Sequence, residues 1–229
     1  MIYKVNMEEL VENLKKSGVL RTPQIIEAFL KVDRKDFVPE SLKDAAYFDE
    51  ALPIGRGQTI SQPYTVAFMF ELLYGGPSTY FDGAQHKSLR ASKIMDVGYG
   101  SGWSTALLAE IVGEEGKVYA FERVEELCNF GEENLIKYPE LHRRVLLFCK
   151  DASGGVPGEE FDAIIAAAEL KEIPASWREQ LKIGGRLVYP KEQTIFKEVK
   201  KGENARLPSG QAFSVQKYPG FVFVPFVRD

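Results

Sequence analysis

The chain has 229 residues, 45% of them apolar and 27% charged, enough for one sizeable hydrophobic core and close to ordinary globular composition. Its 29 Lys and Arg against 33 Asp and Glu leave a formal charge of -4, which argues against a broad electrostatic footprint for nucleic acid. No run reaches the roughly 18 apolar residues of a membrane-spanning helix, the stretch from Ala163 to Ala168 being only strand-sized.

Glu8, Glu9, Glu12, Lys15 and Lys16 interrupt the first apolar residues in the manner of an amphipathic helix rather than a secretory signal, so a cytoplasmic monomer without membrane contact is expected. Leu10, Val11 and Leu14 stand at helical spacing within residues 7–17, with Gly18 as a stop. Thr22 before Pro23 reads as an N-cap followed by a proline at the first helical position. Residues 34–57 are rich in Pro, Gly and charge, and predict loops with brief helical turns. From 63 to 73 the spacing of Val66, Ala67, Phe70, Leu72 and Leu73 predicts a buried helix, ended by Gly75-Gly76-Pro77.

After Lys93 the pattern changes. Residues 94–97 form an apolar strand that runs into Gly98-Tyr99-Gly100-Ser101-Gly102, and a helix is expected over 103–112. A strand at 118–121 ends at Glu122, and a helical segment carrying Leu127, Phe130, Asn134 and Leu135 follows. Strands at 145–149, 161–166 and 186–189, with a helix near 175–181, continue the alternation, which predicts an α/β fold with a doubly wound, mostly parallel sheet covered on both faces. The tail differs, because 195–199, 212–216 and 221–226 read as strands without crossover helices and predict an antiparallel C-terminal edge. The whole of 1–229 is expected to be a single domain: an N-terminal helical extension with the substrate cleft (1–92), a cofactor-binding core (93–190) and C-terminal antiparallel strands (191–229).

Cys128 and Cys149 form no C-x-x-C pair and have only His86 and His142 beside them, so neither a disulfide nor a metal site is expected and the thiols read as buried and reduced. Both histidines read as solvated surface. Lys197, Lys200 and Lys201 read as a solvated guard on an edge strand. Trp103, directly after the last loop glycine, is placed either to shield a ligand or to pack beneath its helix.

In an open parallel sheet, ligands collect beyond the carboxyl ends of the strands, and Asp96-x-Gly98-x-Gly100-x-Gly102 lies at such a turn. Glycines there leave amide groups and the positive helix end free to meet a polar ligand. The spacing departs from the G-x-G-x-x-G of pyrophosphate sites, and with its preceding acid it resembles the motif of class I S-adenosylmethionine-dependent methyltransferases. Glu122, 24 residues after Gly98, stands where a carboxylate accepts both hydroxyls of a ribose. Asp151 after the third strand either meets an adenine amino group or caps its loop.

Gly57-Gln58-Thr59-Ile60-Ser61-Gln62-Pro63 is the most distinctive segment. Together with the glycine loop, Ile173-Pro174, Gln180-Leu181-Lys182-x-Gly184-Gly185-Arg186-Leu187-Val188-x-Pro190 and the closing Val224-Pro225, it resembles the protein-L-isoaspartate O-methyltransferases over roughly residues 8 to 228. The resemblance implies a Rossmann-like methyltransferase sheet, S-adenosyl-L-methionine as cofactor and isoaspartyl proteins or peptides as substrates. Ser61 then matches the active-site serine, and Gln58, Thr59 and Ile60 match its companions along the cleft. Asp96, Gly98, Gly100, Gly102, Glu122, Asp151 and Ala152 match cofactor-binding positions, and Thr59, Ser61, Ala167 and Ala168 the substrate side. Asp151-Ala152 replaces the family's Asp-Gly, and Lys191-Glu192 its Val-Gly, on the borders of the substrate side.

The chemistry suits such a transfer. A carboxylate at pH 7 is already an anionic nucleophile and a sulfonium methyl an activated electrophile, so alignment rather than a strong base is required. Hydroxyls at Thr59 and Ser61 suit the orienting of a carboxylate. A nucleophilic Ser61 is disfavoured by the lack of a G-x-S-x-G elbow and of a candidate base other than His86 or His142. A serine capping the helix that starts near Pro63 is the structural alternative. A methyltransferase with a dedicated peptide aspartyl acceptor, or a cofactor-binding module without turnover, are the alternative functions.

Overall fold

The computed structural model describes residues 6–74, 89–202 and 212–225. His86, the Gly75-Gly76-Pro77 stop and Phe226 lie outside the described residues. Helix α1 (Met7–Lys16) begins where the Asn6 side chain accepts the Glu9 N–H at 2.9 Å. Helix α2 (Pro23–Lys31) has its proline at the first position, but the Thr22 side chain does not cap it. The Thr22 hydroxyl instead donates to Glu71 Oε2 at 2.8 Å, while Oε1 of the same carboxylate accepts the N–H groups of Arg21 and Thr22. Glu71 belongs to α3 (Pro63–Tyr74), so this buried acid fastens the first helices to the third.

Two 3-10 turns, Arg34–Phe37 and Glu40–Ala45, are the brief helical turns expected in the segment 34–57. The rest of it departs from expectation. Strand β1 (Leu52–Gly55) pairs antiparallel with β2 (Gln58–Ile60) around the turn at Arg56, a hairpin whose shortness gave no readable alternation.

The core follows the expected alternation through β3 (Lys93–Val97), α4 (Trp103–Val112), β4 (Lys117–Glu122), α5 (Glu125–Ile136), a short additional α6 (Pro139–His142) that was not expected, β5 (Val145–Cys149), β6 (Phe161–Ala166), α7 (Ala175–Glu179) and β7 (Leu181–Lys191). Strands β8 (Thr194–Lys200) and β9 (Phe213–Pro219) complete one seven-stranded sheet of order β5-β4-β3-β6-β7-β8-β9. The first five of these strands pair in parallel, while β8 pairs antiparallel with both β7 and β9, so the predicted fold class holds. Residues 221–225 do not form the expected third tail strand, and only a bridge from Glu169 to Pro225 is made there.

Alternate residues of β3 feed two separate cores. Ile94 joins α1 to α5 and the hairpin on one face; Met95 and Val97 join Trp177, Phe161 and Tyr189 on the other, covered among the described residues by α7 and connecting loops. The basic cluster is corrected by this layout. β8 lies inside the sheet, Lys197 and Lys200 are buried, and Lys200 Nζ donates to the carbonyls of Glu179 and Leu181 at 3.1 and 2.7 Å. His142 is half-buried at the end of α6.

The cysteines are corrected as well. Cys128 and Cys149 form a disulfide with their Cα atoms 5.8 Å apart. Although 21 residues separate them, α5 folds back along the sheet edge and sets Cys128 over the end of β5, a proximity that spacing does not reveal. Among the described residues no cluster is suited to hold a metal, and no helix is long and apolar enough to cross a membrane.

Candidate active site

The strand order reverses at β3, whose two neighbours leave it in opposite directions, and a crevice opens beyond the carboxyl ends of β3, β4, β5 and β6. The glycine loop forms its floor. Gly98 and Tyr99 both donate their N–H groups to the Phe121 carbonyl at 2.8 and 3.1 Å, which ties the loop to β4. Gly98 takes φ +83° and Gly102 φ +87°, left-handed conformations that side chains strongly disfavour. At Gly100 the requirement is space, because a Cβ would stand 3.1 Å from Ile54 Cδ1 of the hairpin. Gly98, Gly100 and Asp96 line the crevice; Gly102 does not. It packs α4 on α5 instead, where a Cβ would lie 2.9 Å from the Gly131 carbonyl oxygen.

Asp96 is 1% exposed, and its Oδ2 accepts the Thr105 hydroxyl at 2.6 Å. Its Oδ1 has no hydrogen-bond partner among the described residues, and burial raises its carboxyl to about 6. An unpaired buried carboxylate oxygen on a cavity wall is suited to a cationic group. At the end of β4, Glu122 Oε2 accepts the Gly100 N–H at 3.0 Å and Oε1 accepts those of Arg123 and Val124 at 2.7 and 3.0 Å. Three amides thus hold the carboxylate at the crevice, leaving acceptor capacity for ligand hydroxyls.

Asp151 lines the crevice and also closes its own turn, its Oδ1 accepting the Ser153 N–H at 2.5 Å, so the capping alternative accounts for one of its oxygens. Ala152 is buried beside it, and its carbonyl accepts the Trp177 indole N–H at 2.8 Å. Opposite stand Ala167, whose N–H donates to the Val97 carbonyl at 2.9 Å, and Ala168, within 4.0 Å of where a Gly98 Cβ would be.

The hairpin brings Gln58, Thr59, Ile60 and Ser61 over the same crevice, and Val224-Pro225 closes it from the tail, held by the Glu169 N–H donating to the Val224 carbonyl at 2.8 Å. Ser61 does not cap α3. That task falls to Asp49, whose Oδ1 accepts the Tyr64 N–H at 2.7 Å, and the Ser61 hydroxyl makes no hydrogen bond among the described residues. A second recess, lined by Asp49, Thr59, Ser61, Thr65, Ala167 and Val224, joins the crevice at Ser61 and opens to solvent. Trp103 combines both expected placements: it lines the crevice and is 1% exposed, packed edge-on against Phe29 with ring centroids 5.4 Å apart.

Some contributing residues carried no readable signal, Ile54 and Lys150 among them. Gly131 carried a weak one. A glycine inside a helical pattern suggests a packing reason, and here a Cβ would fall 2.6 Å from the Gly100 carbonyl oxygen and 2.7 Å from the Tyr99 ring.

The family model for protein-L-isoaspartate(D-aspartate) O-methyltransferase matches residues 5–229 of the chain. The chain is 38% identical over 232 residues to the protein-L-isoaspartate O-methyltransferase of Methanopyrus kandleri, covering 100% of this chain and 94% of that one. Its identity to the Ignicoccus hospitalis protein of the same name is 36% over 227 residues, covering 96% and 97%. A Plasmodium falciparum crystal structure named for the same activity and holding S-adenosyl-L-homocysteine superposes with a TM-score of 0.82 at 25% identity, covering 98% of this chain and 100% of that chain.

Proposed function

Because this chain belongs to the protein-L-isoaspartate(D-aspartate) O-methyltransferase family, we propose that it methylates the α-carboxylate of L-isoaspartyl residues in damaged proteins or peptides, with S-adenosyl-L-methionine as cofactor. The observation that carries the reading is one crevice with two unlike ends: Asp96 Oδ1 beside the glycine loop and the Ser61 hydroxyl where a recess opens to solvent, each without a hydrogen-bond partner among the described residues. When bound, the cofactor supplies a methyl group already activated by its sulfonium centre.

The protein's own residues then hold and align. Asp96 faces the cationic amino group of the cofactor, Glu122 its ribose hydroxyls and Asp151 its adenine edge, while Gly98 and Gly100 leave room for close approach. Gln58 and Ile60 cover the cofactor from the hairpin, and Ala152 packs beside it. Gly102 belongs to this set through packing alone. Thr59 and Ser61 donate hydroxyls to the incoming carboxylate, and Ala167 and Ala168 keep its approach narrow. Orientation of this kind contributes on the order of 7 to 11 kcal/mol without any general base. The reading includes action as a cytoplasmic monomer, in a setting where the Cys128–Cys149 bond persists.

The test is transfer of labelled methyl from S-adenosylmethionine to two peptides that differ only in carrying an isoaspartyl or a normal aspartyl residue. Base-labile label on the isoaspartyl peptide alone is expected. Equal labelling of both, or of neither with the cofactor bound, refutes the substrate assignment. At saturating cofactor the rate should stay flat from pH 6 to 9, because a carboxylate nucleophile titrates near pH 4.

A further inference from the structure

The buried guanidinium of Arg34 is a cost that the reaction as described does not use. Arg34 is 0% exposed, forms no ion pair among the described residues and leaves its Nε without a partner. Burial lowers its pKa to about 10, with only the charge of Asp49 opposing, so it stays cationic at neutral pH. Leucine or methionine fills such a volume at less expense. The donors explain what is gained: Nη1 reaches the carbonyls of Ala46 and Phe48 at 2.7 and 3.3 Å, and Nη2 those of Glu50 and Ser61 at 2.9 and 3.1 Å.

The backbone that carries Arg34 is fixed to the cofactor side. The Val32 carbonyl accepts the Trp103 indole N–H at 3.3 Å, the Tyr138 hydroxyl donates to Asp36 Oδ2 at 2.7 Å, and the same hydroxyl accepts the Asp33 N–H at 3.1 Å. The guanidinium itself lies over the Trp103 ring, 5.3 Å from its centroid. Trp103 follows the last glycine of the loop that floors the crevice, and Ser61 forms part of its opposite wall. We propose that Arg34 is a positioning residue for methyl transfer, a buried strut that sets residues 59–61 at a fixed height above the glycine loop. It rests on the reaction proposed above and touches no reacting atom. Only a planar fork spans four carbonyls from a single stem; a lysine has one nitrogen at one point and loses its proton more readily when buried.

The experiment measures kcat and KM for an isoaspartyl peptide and S-adenosylmethionine affinity by calorimetry in Arg34→Lys and Arg34→Met, below the lowest melting temperature. Leu187→Ala serves as a destabilised control, since Leu187 is buried in the core on the other face. Both Arg34 variants should bind the cofactor within about threefold of wild type and lose about 30-fold or more in kcat, as misalignment does. The control should melt earlier with kcat unchanged. Hydrogen exchange in the Arg34 variants should quicken over residues 46–61 and not over 117–122. Wild-type kcat in Arg34→Lys overturns the proposal, as does a loss of cofactor affinity that parallels kcat, or an Arg34→Lys chain that does not fold. If wild type leaves the isoaspartyl peptide unmethylated, the substrate reading fails, while the exchange contrast still decides whether the strut exists.

Discussion

The two walls of the crevice are built by different means. On the cofactor side, β3, β4 and β5 pair in an unbroken parallel register, and the glycine loop hangs from that ladder by two N–H groups on the Phe121 carbonyl. On the substrate side, residues 46–61 have a short, irregular hairpin and are held by a few side-chain bonds: Asp49 of the segment to the start of α3, Gln62 Nε2 to the Asp49 carbonyl at 2.9 Å, and Arg34 to four carbonyls. A ladder distributes strain over many bonds, whereas a rim held by a few side chains concentrates it. Changes on the first wall should therefore act on cofactor binding and folding, and changes on the second on turnover.

The widest separation of the two effects comes from a pair of substitutions. Gly131→Ala puts a methyl group 2.6 Å from the Gly100 carbonyl oxygen, backbone that cannot step aside. Although alanine favours a helix by roughly 1 kcal/mol, overpacking costs about 1 to 3 kcal/mol, and calorimetry should show cofactor affinity down by about 10- to 100-fold with a lowered melting temperature. Ser61→Ala removes a half-buried hydroxyl with no partner among the described residues and should leave melting unchanged. Its kcat should fall by about 10- to 100-fold, the loss of one hydrogen bond to a charged group of roughly 1.5 to 3 kcal/mol, with cofactor affinity within a few-fold. Normal turnover in Ser61→Ala removes the hydroxyl from the reaction; unchanged affinity in Gly131→Ala breaks the contrast between the walls.

The same contrast governs what the sequence discloses. The span 94–166 was legible because apolar alternation, glycine spacing and an acid at a strand end are local signals, and β5, β6 and α4 appear with the expected bounds. The cleft side stood out through its unusual run of small polar residues, which carried the family resemblance and through it pointed to Ser61, but not to the hairpin that leads into it. Arg34 gave no sign of its place, since an arginine between Asp33 and Lys35 reads as surface until the fold wraps residues 46–61 around it. The Cys128–Cys149 bond and the burial of Lys200 were missed for one reason: each depends on which elements lie side by side, and neither leaves a period in the chain.

A smaller effect, of opposite sign in two measurements, is expected at Asp96. Its carboxyl is raised from 3.8 to about 6 by burial, so the folded protein without cofactor holds this proton more tightly than the unfolded chain. The resulting destabilisation is complete above pH 6 and vanishes below about pH 4, so this group makes the cofactor-free protein more stable as pH falls through that window. A cationic partner needs the ionised form, and affinity should drop about tenfold between pH 7.5 and 5. Asp96→Asn should raise the melting temperature at pH 7.5, a gain of about 1 to 2 kcal/mol after allowing for an amide that also lacks a partner. It should abolish the pH dependence of binding and weaken binding throughout. Tighter binding in the variant would show that Asp96 does not meet a cation.

The least effect on catalysis is expected from the disulfide, although its effect on stability should be easily measured. Cys128 and Cys149 close a loop across a separation of 21 residues, for which chain entropy gives about 3 kcal/mol, and in a domain of this size that corresponds to roughly 6 to 12 °C in melting temperature. The bond lies on the ladder wall, joining α5 to the end of β5 one strand from Glu122. Reduction, or Cys128→Ser with Cys149→Ser, should lower melting by that amount, weaken cofactor affinity by no more than a few-fold and leave the peptide KM unchanged. A peptide KM that rises on reduction while cofactor affinity holds would mean that the two walls are coupled through α5, where Arg56 of the hairpin turn pairs with Glu126, and that the rim is less independent of the ladder than its bonds imply.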